Sequence, residues 1–70
     1  MTRIWKRDQL RLGVDYVVRW KVRSGVVVNG LMQPRMPGFQ EIVPGWLARR
    51  YAGTGTVDVI GTVADVETIA

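Results

Sequence analysis

Hydrophobic and polar residues alternate most regularly just after Gly13, in the stretch "DYVVRWKVR". Successive side chains of an extended chain point to opposite faces, so this alternation separates two sets of residues. One face carries Tyr16, Val18, Trp20 and Val22, and the other carries Val17, Arg19, Lys21 and Arg23. The period of two predicts a β-strand with one buried face and one solvated face.

Two turn signals follow this strand. Ser24-Gly25 and Asn29-Gly30 are both dipeptides that can join two antiparallel strands. Both cannot form the tip of one hairpin, and the long alternating strand needs a partner of similar length. We therefore predict a hairpin that closes at Ser24-Gly25, with Asn29-Gly30 as a bulge or second bend.

The second half of the chain predicts a loop, a strand, a helix and a last strand. "QPRMPG" is predicted to be a loop because its prolines lack backbone donors, and "FQEIV" is predicted to be a short strand. Pro44 suits the first turn of a helix and Gly53 suits the left-handed residue after its end. "TVDVIGTV" is predicted to be the last strand, and "ADVETIA" either continues it across Gly61 or forms an acidic arm.

These elements predict a small β-rich α+β fold. It consists of an antiparallel hairpin and short strands, arranged openly or as an SH3-like partial barrel, with one short helix near residues 44–52. Residues 1–13 mix basic and apolar side chains without a regular period, which indicates a basic N-terminal arm ordered against a partner. Residues 14–63 then form a single small domain, and residues 64–70 form an acidic C-terminal tail.

The composition indicates that the chain folds but that its folded state is only marginally stable. Of its 70 residues 47% are hydrophobic, which is too many for a disordered segment, and none is cysteine. A single core of this size is only marginally stable, and no disulfide can support it. We therefore expect the chain to gain stability by docking onto copies of itself or onto a larger partner.

The charge is unevenly distributed. All ten basic residues lie within residues 1–50 together with three acids, a net charge of +7, whereas residues 51–70 carry three acids and a charge of −3. Such polarity suits nucleic acid at the basic end, and it equally suits head-to-tail contact with an acidic protein surface.

Several classes of function are disfavoured by what the sequence lacks. Histidine and cysteine are absent and Ser24 is the only serine, so the common catalytic bases, nucleophiles and soft metal ligands are missing. We expect no enzymatic activity, no cofactor and no metal. The longest apolar runs are far shorter than the roughly 20 residues of a membrane span, and the N-terminal residues do not resemble a secretory signal. A soluble protein made in the cytoplasm is expected.

The basic residues of the first strand allow two interpretations. Arg19, Lys21 and Arg23 could neutralise phosphates as a stripe on one face of a nucleic-acid-binding or regulatory small barrel. Alternatively, they solvate the outer face of a half-buried strand. Tyr16 and Trp20 lie on the opposite face and so are expected in the core, which favours the second interpretation.

The predicted helix is interpreted in the same way. Leu47, Ala48 and Tyr51 can pack on the sheet, and Arg49 and Arg50 then project outward. A recognition helix would be longer and would follow another helix through a tight turn. The two arginines are therefore expected to contact solvent or a protein neighbour.

A resemblance narrows the function further. The order P-x-W-L-A-R-R-Y, followed by a glycine and the short "TVDVI" strand, resembles an element of small proteins encoded among the structural genes of tailed bacteriophages, particularly those of actinobacterial hosts. The match covers about residues 41–60, with "GTGTVD" where a single glycine and a small or acidic residue are usual. It is carried by Pro44, Trp46, Leu47, Ala48, Arg49, Tyr51 and Gly53.

The resemblance implies a virion component, that is, a minor capsid, decoration or head-tail accessory protein. Its partners would be the major capsid protein, copies of itself, or both, and its location would be the capsid after synthesis in the host cytoplasm. The residues expected to bind the partner are Ile4, Trp5, Arg7, Arg11, Arg49 and Arg50. Deleting residues 1–12 is then expected to abolish particle binding and leave the sheet folded. A small regulator of a host protein is a third reading.

Overall fold

The computed structural model describes residues 4–65 and confirms a small β-rich α+β fold. A short 3-10 helix, Arg7–Gln9, precedes five strands and one helix. The elements are β1 (Asp15–Trp20), β2 (Ser24–Val28), β3 (Leu31–Arg35), β4 (Gln40–Pro44), α1 (Gly45–Thr54) and β5 (Val57–Thr62).

The strands form two antiparallel sheets. The larger sheet has the order β4-β1-β5, with β1 in the centre, and the smaller one is the β2-β3 hairpin. Asp15 lies opposite Pro44 on one side of β1, and Tyr16 lies opposite Thr62 on the other, with a bulge between Val17 and Val18. Within residues 4–65 no strand pairing links the two sheets, so the strands do not close into one barrel.

The hairpin turn lies at Asn29-Gly30, and the prediction that it closes at Ser24-Gly25 was wrong. Asn29 and Gly30 have φ angles of 52° and 79°, the left-handed conformation that tight two-residue hairpin turns use. Val28 pairs with Leu31 across this turn, and Ser24 begins β2. β1 does not need β2 as a partner, because β4 and β5 flank it on both sides.

The predicted loop at "QPRMPG" is also shorter than expected, because β3 continues to Arg35. Pro34 lies opposite Gly25 in the two-stranded sheet. Proline is tolerated on such an edge strand, where the missing N–H faces outward. The chain then turns at Met36–Phe39, where the amide of Phe39 donates to the carbonyl of Met36 over 3.0 Å.

The helix is confirmed with small changes at its ends. Pro44 is the N-cap, one position before the first helical residue, so it lies outside the first turn in which it was predicted. Gly53 is inside α1, and Gly55 is the left-handed residue that ends it, with a φ of 74°. The amide of Gly55 donates to the carbonyl of Ala52 over 3.2 Å.

After β5 the backbone becomes helical at residues 63–65. Thr62 and Asp65 form a reciprocal pair: the amide of Thr62 donates to Asp65 Oδ2 over 3.0 Å, and the amide of Asp65 donates to Thr62 Oγ1 over 3.2 Å. This is the capping box of a helix start. β5 crosses Gly61 but ends at Thr62, so the prediction that "ADVETIA" continues the strand is wrong for Ala64 and Asp65. Residues 66–70 of the predicted acidic tail lie outside the described residues.

The core lies between the larger sheet, α1 and the N-terminal segment. Its buried residues are Leu10, Tyr16, Val18, Trp20, Val43, Ala48, Val57 and Val59. The predicted inner face of β1 is confirmed for Tyr16, Val18 and Trp20, which are at most 3% exposed. Val17 is buried as well, on the other face, whereas Val22 lies beyond the strand and is 45% exposed.

The segment predicted as an arm packs onto the domain over residues 4–13. The amide of Trp5 donates to the carbonyl of Val59 over 2.9 Å, and the amide of Arg11 donates to the Tyr16 hydroxyl over 2.8 Å. Leu10 is only 4% exposed and belongs to the core. The described part of this segment therefore packs against the domain, because Leu10 and Trp5 meet apolar neighbours there.

Candidate functional site

Glu41 fixes the hairpin against the larger sheet. Its Oε2 accepts hydrogen bonds from Trp20 Nε1 and Arg35 Nε, both over 2.6 Å, and its Oε1 accepts one from Arg35 Nη2 over 3.2 Å. The two bonds from one guanidinium form the strong bidentate pairing of arginine with carboxylate. This contact raises the pKa of Arg35 above its usual value. The end of β3 is thereby tied to β4 and β1.

The basic stripe of β1 is partly neutralised by the neighbouring strand. Asp58 on β5 lies 3.5 Å from Arg19 Nη2 through its Oδ2 and 3.5 Å from Lys21 Nζ through its Oδ1. The two cationic side chains are 40% and 45% exposed, so each pair is weak in water. Arg23 is exposed in the connection to β2. Two of the three residues proposed for phosphate binding thus share one carboxylate.

The predicted partner-binding residues near the N-terminus lie in different surroundings. Ile4 is 45% exposed, as a contact residue requires. Trp5 is half-buried, and its ring lies 6.5 Å from that of Tyr16. The main contact of Trp5 is therefore with its own domain. Arg11 is exposed, and its backbone lies beside Gly45 at the start of α1.

The other three predicted residues come together in one cavity. Arg7, from the 3-10 helix, and Arg49 and Arg50, from α1, line a shallow cavity of about 410 Å³. The remaining lining consists of Leu12, Trp46 and Gly53. We call these six residues the arginine cavity. Sequence analysis had named its three arginines but could not place Arg7 next to the helix.

The arginine cavity concentrates positive charge that has no acidic partner in the described part of the chain. Within residues 4–65, none of Arg7, Arg49 and Arg50 forms an ion pair. Arg50 is exposed and Arg49 is half-buried. Three guanidinium groups without a carboxylate partner among residues 4–65 make this cavity a candidate for binding an anionic group.

A second cavity lies between β2 and α1. It also has a volume of about 410 Å³, and we call it the hairpin groove. Its lining consists of Gly25, Val26, Val27, Trp46, Leu47, Arg50 and Tyr51. Trp46 and Arg50 belong to both cavities, and Trp46 is 56% exposed. The two cavities therefore meet along one side of α1.

The hairpin exposes large apolar side chains. Val27 is 66% exposed, Leu31 is 68% exposed and Met32 is 69% exposed. Sequence analysis did not single these residues out, although "VVVNGLM" places them on both sides of the Asn-Gly turn. We call these three residues the hairpin tip.

Tyr51 connects the hairpin groove to the core. Its ring lies 4.9 Å from that of Trp20, in a tilted arrangement. Burial raises the pKa of Tyr51 above its usual value, and the carboxylate of Glu41 raises it further, against opposing effects of Arg35 and Arg50. Burial and Glu41 both favour the neutral form of the Tyr51 hydroxyl.

No group of three or more metal-ligating side chains occurs within residues 4–65. In the same part of the chain, no helix has the length and apolar character that crossing a membrane requires. Comparisons with protein-family models, with curated proteins and with solved structures gave no match to this chain. A proposal of function therefore starts from the surfaces described above.

Proposed function

We propose that this chain is a non-enzymatic docking protein that binds a larger protein assembly through the hairpin tip. The supporting observation is that Val27, Leu31 and Met32 are about two-thirds exposed on a hairpin that is itself held in place. Val27 and Met32 lie opposite each other in the hairpin and share one face, and Leu31 lies next to Met32 on the other face. Exposed apolar surface of this kind marks interaction sites. Burying a side chain of this size contributes roughly 1.5–3 kcal/mol, so three of them can anchor a small protein.

The proposed assembly is the shell of a tailed bacteriophage. Support comes from the resemblance of residues 41–60, which form most of β4, all of α1 and most of β5. The protein would be a minor capsid or decoration protein that docks on the major capsid protein, on copies of itself, or on both. Repetition around a shell strengthens weak individual contacts. It would be located in the virion after synthesis in the host cytoplasm.

The arginines have a secondary role in this proposal. Arg7, Arg11, Arg49 and Arg50 pair with carboxylates of the shell, and Ile4 adds an exposed apolar contact. Trp5 instead holds the N-terminal segment on β5 through its backbone contact with Val59.

A nucleic-acid-binding module acting through Arg19, Lys21 and Arg23 is less well supported. Asp58 already engages the first two of these residues. Salt separates this alternative from protein docking, because phosphate binding weakens steeply as the salt concentration rises, whereas an apolar contact persists.

The first experiment is quantitative mass spectrometry of density-purified particles produced from the genome that encodes this chain. The proposal expects its peptides in a fixed ratio to those of the major capsid protein. Their absence, with the capsid protein well detected, would refute the virion assignment.

The second experiment compares particles that carry Leu31→Ser/Met32→Ser with particles that carry Val22→Ser/Ile42→Ser. Val22 and Ile42 are also exposed, at 45% and 58%, but lie outside the hairpin tip. The hairpin variant should lower the copy number at least about tenfold, since two anchors are lost. The control variant should leave it unchanged. Equal incorporation of both variants would show that the hairpin tip is not the contact.

A further inference from the structure

The arginine cavity offers chemistry that the exposed hairpin tip does not. Arginine presents a planar fork of donors that fits carboxylate and phosphate groups in a bidentate manner. Arg35 already uses this fork on Glu41, at 2.6 Å and 3.2 Å. Within residues 4–65, Arg7, Arg49 and Arg50 have no such acceptor. The cavity therefore suits an anionic group.

The neighbouring hairpin groove has the opposite character. Val26, Val27 and Leu47 contribute aliphatic side chains to its lining. Val26 and Leu47 also pack against the core, so this side of the groove is held in position. A ligand that fills the groove gains by burying apolar side chains there.

Trp46 and Arg50 join the two cavities. They are four residues apart on α1 and so share one side of the helix. A ligand that crosses Trp46 reaches arginines on one side and aliphatic side chains on the other. From Trp46 to Gly53 the helix rises by roughly 10 Å, which is about the reach of three extended residues.

We propose that the arginine cavity and the hairpin groove together bind one segment of the protein partner, in which a short run of carboxylates lies next to aliphatic side chains. This inference rests on the proposed docking function and specifies the chemistry of its partner. A strand of nucleic acid matches the chemistry of the arginine cavity but not that of the hairpin groove. Its phosphates suit the arginines and a base can stack on Trp46, but it has no aliphatic group for Val26, Val27 and Leu47.

The test is a nuclear magnetic resonance titration of the full chain with a capped synthetic peptide, Glu-Glu-Glu-Ala-Leu-Leu-Ala. Binding should shift the indole signal of Trp46 and the amide signals of Leu47 and Arg50. The indole signal of Trp20 should stay in place, because Trp20 is only 2% exposed and bonded to Glu41. A peptide with both leucines replaced by serine should bind less tightly. Absence of any shift would overturn the proposal.

Variants assign the binding to the cavity. Arg49→Gln/Arg50→Gln should raise the dissociation constant of the peptide by about tenfold or more, since two charge-assisted pairings are lost. Arg19→Gln/Arg23→Gln removes the same charge outside the cavity and should change it less than about twofold at moderate salt. Arg7→Gln tests the cavity without altering α1. Equal weakening by both double variants would show general charge attraction and refute the site.

A short oligothymidylate is the competing probe. Tighter binding of this probe than of the peptide, with a steep dependence on salt, would assign the surface to nucleic acid and overturn the proposal. If the peptide fails to bind while the hairpin variant still lowers incorporation into particles, docking through the hairpin tip stands and the acidic-segment inference alone is wrong.

Discussion

Glu41 is the residue on which the position of the hairpin depends. Its carboxylate accepts from Trp20 in β1 and from Arg35 in β3, while Glu41 itself belongs to β4. The Arg35 side chain is only 11% exposed. A guanidinium so poorly solvated needs its acceptor, because an uncompensated buried charge is costly.

We therefore expect Glu41→Gln to destabilise the protein by about 2 kcal/mol, since the neutral amide replaces a charge-assisted acceptor. Urea unfolding followed by tryptophan fluorescence measures this change. Asp15→Asn is the matched control, because Asp15 is exposed at the start of β1 and should alter stability by less than about 0.5 kcal/mol. Equal stability of the Glu41 variant and the wild type would show that the hairpin is held by packing alone.

The first turn of α1 lies very close to the backbone of the N-terminal segment. A side chain added at Gly45 would overlap the carbonyl oxygen of Arg11 and would lie 2.8 Å from that of Val14. At Gly53, in the same helix, the nearest atom is a flexible carbon of Arg7 at 3.4 Å. Gly45 thus allows the N-terminal segment to approach α1 closely, whereas Gly53 weakens the helix without allowing a close backbone contact.

Alanine at these two positions should have opposite effects. Gly45→Ala should destabilise by about 2 kcal/mol or more, because backbone has to move to relieve the overlap. Gly53→Ala should stabilise by about 0.5–1 kcal/mol, because alanine favours the helix interior. Thermal unfolding by circular dichroism compares both with the wild type. A stabilising Gly45→Ala would mean that the N-terminal segment does not approach α1 this closely.

Elements with a clear local period could be predicted from the sequence, but strand pairing could not. The alternation of Tyr16, Val18 and Trp20 identified the inner face of β1 because only one phase places all three inward. The hairpin was misplaced because β1 was assumed to pair with the next strand, whereas β4 and β5 flank it across long sequence separations. Asn29-Gly30 was the stronger local turn signal, and the structure follows it.

In the candidate site, too, the residues with a local pattern could be predicted, whereas their tertiary neighbours could not. Arg49 and Arg50 could be found because their spacing from Leu47 and Tyr51 places them on the outer side of α1. The position of Arg7 beside them depends on a tertiary contact of the 3-10 helix, which no local pattern encodes. Likewise, the apolar residues around the Asn-Gly turn signal in "VVVNGLM" indicate a hairpin but do not say whether a neighbouring element covers it.

For the molecule as a whole, the N-terminal segment is part of the fold. Leu10 belongs to the core, the backbone of Trp5 pairs with Val59, and the amide of Arg11 holds the Tyr16 hydroxyl. A domain of this size has a stability of only about 5–10 kcal/mol, so the loss of one core residue and its neighbours removes a large part of it.

Deleting residues 1–12 should therefore unfold most of the protein, contrary to the sequence-based expectation that the sheet would survive. Removing a buried leucine alone costs about 2–5 kcal/mol of stability, and the deletion would also expose Tyr16 and Val59 to water, which adds to this cost. Circular dichroism and amide signal dispersion measure the outcome, and a chain lacking only residues 1–3 is the control. A shortened chain that unfolds cooperatively near the wild-type temperature would restore the arm interpretation. Loss of particle binding would then report on contacts made by the arm itself.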